Sequence, residues 1–461
     1  MKPALLCLSQ SFAPDTTPTG IRASKLLARL GAQWDVTVLT AATGTHGLDG
    51  VRVESVRAKR PARALAALRR MHLDKLLELL VWPDDSIFWV VPAIHAGRRL
   101  IRERRPSAIV VFMMPYSSGL AGIALSRLTG VPLVLNLDDS PTCTDMHPRF
   151  PTRLHYRLAR ALEDAYVRSA DAVVYVSATN LATVAERHPE HIRCKLHLVR
   201  YGAERAEPRP APGHAERFEI VYVGAMSGWW PLIEHHSPPR GLKRAYRIWS
   251  RLGRHERIEL DERTSSPAVI GRAIVATIAA HPGWTDRVRL AIHGNPYPAD
   301  VVARALAAAE VQDVVDVGGP VAHDEVARIV NDADLLFLTL PARVDGSRGG
   351  RISAKTYEYL ATDRPILAAV PRGENWDYLE GKPGVWLLDP RDERGMAQAI
   401  GEIAQAKFAG EPLSFDRSSL ARELSYDTRA EELAAVVRAG IARREGDSRT
   451  RRKARYVAGA R

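Results

Sequence analysis

Cysteine is scarce in this chain, with only Cys7, Cys143 and Cys194 among 461 residues. The three lie far apart and none has metal-ligand spacing. They provide neither a disulfide framework nor a zinc site, and they suit a reducing compartment. Long apolar runs are also missing. No stretch approaches the length that spans a bilayer. The run Ala4–Leu8 is too short for a signal-peptide core and reads as a first strand, so a cytoplasmic location is expected. No Ser-His-Asp or Cys-His set offers itself as a nucleophilic centre. The adjacent His235 and His236 lack an acid at ligand spacing and read as surface residues, so no metal is expected.

What is present is a globular composition, 46% hydrophobic and 26% charged, on a chain long enough for two or three domains. The net charge of +12 is concentrated in two places. Residues 57–75 carry seven basic side chains against Asp74, and residues 441–461 carry eight against Glu445 and Asp447. Together these account for the whole excess. That argues against a broad nucleic-acid-binding face, and no specific nucleic-acid partner is expected. The first segment places Leu65, Leu68, Leu76, Leu79 and Leu80 roughly on one helical face. Such a helix packs into its own domain or lies on an anionic membrane, and packing is the favoured reading. Residues 446–461 have little apolar content and are expected to be a basic disordered tail.

Apolar runs of four to six residues recur in two series. The first comprises Ala4–Leu8, Val36–Leu39, Val51–Val56, Ala108–Phe112, Leu133–Leu137, Ala172–Val176 and Leu196–Val199. The second comprises Glu219–Val223, Val288–Ile292, Val314–Val317, Leu335–Leu338, Ile366–Ala369 and Val385–Leu388. Runs of this kind mark strands buried on both faces, hence parallel sheets with helices between. Helices of the first half are expected to begin near Ile21, Arg63, Ala93, Ser118, Thr152 and Ala178. The pattern predicts an α/β chain of two doubly wound, Rossmann-like domains, at 1–203 and 218–423. A Pro-rich linker at 204–217 joins them, and a helix at 424–445 closes the fold. Residues 226–264 look like an irregular insertion in the second domain.

The segment Ser347 to Ala361 carries the chemistry. Gly349, Gly350 and Arg351 lead onto a helix, and backbone N–H groups at such a junction suit a diphosphate. Lys355 and Glu358 are three apart and share a helical face. A cation there can hold phosphate, and a carboxylate one turn on can accept two bonds from a ribose diol. The bland alternative is an exposed i,i+3 ion pair, which is common and contributes little. A second glycine loop, Pro14 to Gly20, joins the first strand to a helix. It serves either as a close approach to an anion or as a tight turn. Asp138 and Asp139 end the strand Leu133–Leu137, where doubly wound domains place their sites. A role for Ser140-Pro141 in a turn or helix cap there is about equally plausible.

The run Ser353, Lys355, Glu358, Tyr359, Leu360, Ala361, then Arg364, Pro365, Ile366 and Leu367, resembles the nucleotide-binding half of GT-B glycosyltransferases of the family 4-like group. Segments Pro83-Asp84, Ala170 to Ser177, Val199 to Gly202 and Val317 to Val321 also fit that family. The resemblance implies two Rossmann-like domains facing across a cleft, with a C-terminal helix crossing back to the first. It implies sugar transfer from a nucleotide-sugar to an acceptor hydroxyl with retention, without a metal or other cofactor. Glu358 would bind the ribose. Lys355 would lie near the phosphates, with Gly349, Gly350 and Arg351 beside it, and Gly20 would face the donor. Asp139 would stand near the sugar or acceptor hydroxyl. Gly350 occupies a position where many relatives have a glutamate that contacts the sugar. Arg240 and Lys243 are the nearest counterparts of a basic residue that relatives place after the first strand of the second domain. Polysaccharide, glycolipid or secondary-metabolite synthesis is the implied setting. Two alternatives remain open: another sugar-nucleotide enzyme such as an epimerase, and a degenerate scaffold that binds a partner through the basic tail.

Overall fold

The computed structural model describes the chain apart from residues 1, 16, 45–47, 49, 59–73, 146–148, 206–215, 227–228, 230–231, 233–240 and 460–461. The chain divides into two compact units, Met1–Gly202 with Gly253–His255 and Ser425–Arg461, and Ala203–Leu252 with Glu256–Leu424.

The first unit is built on strands β1 (Ala4–Ser9), β2 (Asp35–Thr40), β3 (Val51–Ser55), β4 (Ala108–Phe112), β5 (Leu133–Asp138), β6 (Ala172–Tyr175) and β7 (Leu196–Leu198). They form one parallel sheet in the order β3-β2-β1-β4-β5-β6-β7. Strand β4 shows why the apolar runs are continuous. Its Val110 and Phe112 enter one core cluster while Ile109 and Val111 enter the other. A central strand with both faces covered leaves no position for a polar side chain.

The second unit repeats the plan. Strands β8 (Phe218–Val223), β9 (Val288–His293), β10 (Val315–Val317), β11 (Leu335–Thr339), β12 (Ile366–Ala369) and β13 (Val385–Leu388) form a parallel sheet in the order β10-β9-β8-β11-β12-β13. In each unit the strand order reverses beside the first strand. The carboxyl ends of the flanking strands are where such sheets receive ligands.

Helices depart from expectation in several places. Helix α1 (Pro18–Leu30) starts before Ile21, because Thr17 caps it and Pro18 supplies a ready-made first helical residue. The helix expected near Ala93 already begins at Ile87. The one expected near Arg63, and most of the basic segment 57–75, lie outside the described residues. So do His235, His236 and Arg240.

The stretch 226–264 is more ordered than its composition suggested. It contains α2 (Gly241–Arg251), which includes Lys243, and a 3-10 turn at Glu262–Ser265. Leu260 and Asp261 pair antiparallel with Arg343 and Ala342. Met226, Trp229 and Leu232 belong to the unit's core, and this burial anchors the segment.

Helix α5 (Tyr426–Gly459) belongs to the first unit, where Tyr426, Leu433 and Val437 join a core cluster with Leu26, Leu30 and Val110. It runs past residue 445, so the expected disordered tail is helical to Gly459. The Arg, Lys and Ala residues of that stretch are good helix formers and continue a helix already nucleated by packing.

Candidate functional site

At the reversal point of the second sheet, β8 ends at Val223 and the chain turns through Gly224 with φ +113°. A side chain would be strained in that conformation. Space demands glycine as well, since a Cβ there would lie 3.0 Å from Lys355 Cε and 3.1 Å from its Nζ. The Lys355 ammonium therefore rests against the backbone at the end of the first strand. Its Nζ is also 5.1 Å from the centroid of the Tyr222 ring, a cation–π distance.

Lys355 is held there by its own helix, α3 (Ala354–Leu360). One turn on, the buried Tyr359 hydroxyl accepts the Val223 N–H at 3.3 Å and fixes the helix against β8. Burial pushes the Tyr359 phenol up, and the Val223 hydrogen bond partly offsets this. The first turn is steadied by the buried Asn375, whose Oδ1 accepts the Ser353 N–H at 3.2 Å and the Thr356 hydroxyl at 2.7 Å. Lys355 is half-buried and Glu358 exposed.

The neighbouring strand ends complete a rim. Gly224 N–H donates to His293 O at 2.6 Å, and a Cβ on Gly294 would lie 3.3 Å from Gly224 N. Asn295 Oδ1 and Thr339 Oγ1, just past β9 and at the end of β11, are buried without a hydrogen-bond partner. Buried polar atoms left this way cost about 1–3 kcal/mol each unless a ligand or water meets them.

The glycines of the expected phosphate loop behave differently from that expectation. Gly349 N–H donates to Arg372 O at 3.1 Å, and Gly349 O accepts the Glu374 N–H at 2.9 Å. This ties the loop to Gly373, where a Cβ would overlap the Gly349 backbone, and to helix α4 (Glu374–Leu379). The Gly349 amide is thus spent on structure. Gly350 is buried beside it and Arg351 is half-buried.

In the first unit, Gly20 likewise does not present a free amide. Its N–H is taken by Thr17 Oγ1 at 3.2 Å, and a Cβ there would come within 2.9 Å of the same oxygen. The two aspartates at the end of β5 part company. Asp138, at φ +59°, turns inward and is 1% exposed. Its Oδ1 meets Arg22 Nη1 at 2.5 Å and Asn136 Nδ2 at 2.6 Å. Burial pushes the Asp138 carboxyl up, while Arg22 and hydrogen bonds from Asn136, Tyr201 and Thr19 pull it back. Arg22 is itself fully buried. It donates to Val199 O at 2.9 Å and lies 5.0 Å from the Tyr201 ring centroid. Asp139 remains half-buried, with its carbonyl accepting from the Tyr116 hydroxyl at 3.2 Å. Burial drives the Tyr116 phenol up, reinforced by the charges of Asp139, Glu163, Asp138 and Asp84. Behind the loop, Glu163 Oε2 pairs with Arg187 Nη2 and accepts the Thr142 hydroxyl, both at 2.5 Å. Among the described residues no group of three His, Cys, Asp or Glu side chains is arranged to hold a metal ion.

Residues 19–202 match the family described as glycosyl transferase 4-like domain. Whole-chain resemblances agree with it. Anabaena HepE in complex with UDP is 13% identical with a TM-score of 0.57, covering 95% of this chain and 100% of that one. The UDP-forming α,α-trehalose-phosphate synthase of Burkholderia vietnamiensis is 14% identical with a TM-score of 0.56, covering 96% and 99%. The sucrose-phosphate synthase of Thermosynechococcus elongatus is 14% identical with a TM-score of 0.55, covering 98% and 100%. The fold is that of the GT-B glycosyltransferases. No curated protein matches the chain in sequence.

Sequence reasoning passed over two residues here, Gly224 and Arg22. Gly224 was visible as a glycine directly after the first strand of its unit. Arg22 was visible as a charge among Ala23, Leu26 and Leu27 on the buried face of α1. Within the transferase-like domain, Asp138 could not be told from Asp139, because the left-handed turn that separates them leaves no mark on an Asp-Asp pair.

Proposed function

We propose that this chain is a retaining glycosyltransferase that moves a sugar from a nucleoside-diphosphate donor to an acceptor hydroxyl. The observation that carries the reading is Lys355, seated over Gly224 at the reversal point of the second sheet. A cation fixed there can compensate the charge that develops on a departing diphosphate, as transfer requires. Arg351 adds a second positive charge from the same loop, and Gly349 and Gly350 shape it. Glu358, exposed one turn beyond Lys355, accepts hydrogen bonds from the ribose diol. HepE was crystallised with UDP and the trehalose-phosphate synthase is UDP-forming, which supports a uridine donor here.

In the step itself the bond between the anomeric carbon and the diphosphate oxygen breaks. The acceptor oxygen attacks the same face, and its proton passes to the leaving phosphate oxygen. Asp139, the accessible carboxylate of its pair, stands for the sugar or acceptor side, with Gly20 in the first turn of α1. The cations supply the charge compensation, so no metal is required. The setting is polysaccharide, glycolipid or secondary-metabolite synthesis in the cytoplasm.

A thermal-shift series with UDP, GDP and ADP tests the reading. A rise with UDP above the other two is expected, and no rise with any nucleotide would sink it. Donor turnover that proceeds without an acceptor would point to an epimerase instead.

A further inference from the structure

Helix α2 (Gly241–Arg251) is unlike the other helices of its unit. Every side chain described in Gly241–Leu252 is exposed, and none belongs to the unit's buried core. A helix that gives nothing to a core normally has a polar surface all round. This one does not. Ile248 is 59% exposed, Leu252 66%, Trp249 39% and Tyr246 38%.

These residues are sorted around the axis. At about 100° per residue, Ile248, Leu252, Ala245, Trp249 and Tyr246 fill one arc of roughly 160°, while Arg251 and Arg244 fall outside it. The segment 241–252 contains four Lys and Arg residues and no acid. The Tyr246 and Trp249 rings stand 6.0 Å apart on the apolar arc. Trp and Tyr are the residues that settle at the boundary between headgroups and acyl chains. No helix among the described residues is long and apolar enough to cross a membrane.

We infer that α2 is a docking surface for an anionic phospholipid bilayer, lying in the headgroup plane with Ile248, Trp249 and Leu252 inserted and its arginines on lipid phosphates. Charge complementarity selects this occupant. A protein groove that takes an apolar helix has no need of an acid-free basic flank, whereas an anionic headgroup layer attracts each such cation. The inference goes beyond the proposed transfer reaction and does not depend on it.

The test is co-sedimentation of the full chain with vesicles of phosphatidylcholine alone, or with roughly a third phosphatidylglycerol. Binding is expected to the anionic vesicles only, and to weaken as salt rises from about 0.1 to about 0.5 M. The pair Ile248→Asp and Leu252→Asp should lower the partition by about tenfold or more. Both positions are exposed, so an unchanged thermal transition verifies the fold. Arg244→Glu with Arg251→Glu should lower it too, and deleting residues 446–461 should not. Equal sedimentation of the aspartate variant, indifference of the parent to anionic vesicles, or loss of all binding on deletion of the tail would each overturn the inference. Vesicle binding without a UDP-induced thermal shift would refute the donor reading and leave this one standing.

Discussion

The strand-terminal edges of the two sheets are built to opposite specifications. In the first unit the edge is crowded with charge paired to opposite charge, although Arg22 Nε and Asn136 Oδ1 are buried without hydrogen-bond partners. Asp138 faces Arg22, Glu163 faces Arg187, and the Gly20 amide is closed by Thr17. In the second unit the edge is cleared by Gly224 and Gly294, carries the cation of Lys355, and leaves Asn295 Oδ1 and Thr339 Oγ1 without partners. Both edges leave buried polar atoms unmet, but the first pairs its charges internally while the second sets Lys355 against backbone cleared of side chains. Charge in a binding domain therefore does not by itself mark the ligand. The more informative sign is a cation seated against glycine backbone at a strand end.

That contrast can be broken by mutation, beginning with the largest effect. Asp138→Ala should destabilise the first unit by about 3–5 kcal/mol, because it strands a fully buried guanidinium. Urea denaturation followed by tryptophan fluorescence measures this, and a loss below 1 kcal/mol would place the pair in solvent reach. Lys355→Ala should leave the unfolding transition intact while lowering sugar transfer by about 100-fold, the scale of one lost transition-state contact. Normal kinetics in that variant would remove Lys355 from the site. Glu358→Ala should weaken nucleoside-diphosphate binding by about 1–3 kcal/mol, and calorimetry showing unchanged affinity would reject the ribose role.

The smallest effect concerns acid. His188 and His197 of the first unit are both held below their ordinary value by burial. Arg187 and Arg168 add to this at His188 against Asp164, and Arg443 adds at His197. Lowered values mean that the fold prefers the neutral rings. Their contribution is complete above the ordinary histidine range and is lost as pH falls through it toward the lowered values. The first unit's thermal midpoint should therefore decline between about pH 7 and 5, and His188→Gln should blunt the decline. A decline confined to the second unit would contradict this assignment.

The sheets were legible because a parallel strand covered on both faces has a single chemical solution, an unbroken apolar run. Ala108–Phe112 and Leu335–Thr339 both show it. The Lys355–Glu358 spacing was equally plain, since it depends only on helical period. What could not be read was contact across the chain. Nothing near Gly349 says that its amide will be spent on Arg372, and nothing near Asp138 says that Arg22, 116 positions earlier, will reach it. The segment after β8 misled for a related reason. Its three anchors, Met226, Trp229 and Leu232, are spaced as one short helical face within a run of charges and prolines that otherwise reads as loop.

The placement of α5 bears on how the protein is made. The first unit is interrupted: apart from Gly253–His255, its chain stops at Gly202 and resumes at Ser425, and the two ends of the second unit meet where Ala203 N–H donates to Leu424 O at 2.7 Å. A ribosome therefore releases the whole second unit before it supplies Tyr426, Leu433 and Val437. Until then Leu26, Leu30 and Val110 await part of their cover. The second unit should mature first during translation. A nascent chain halted near residue 400 would display an apolar patch suited to capture by a chaperone.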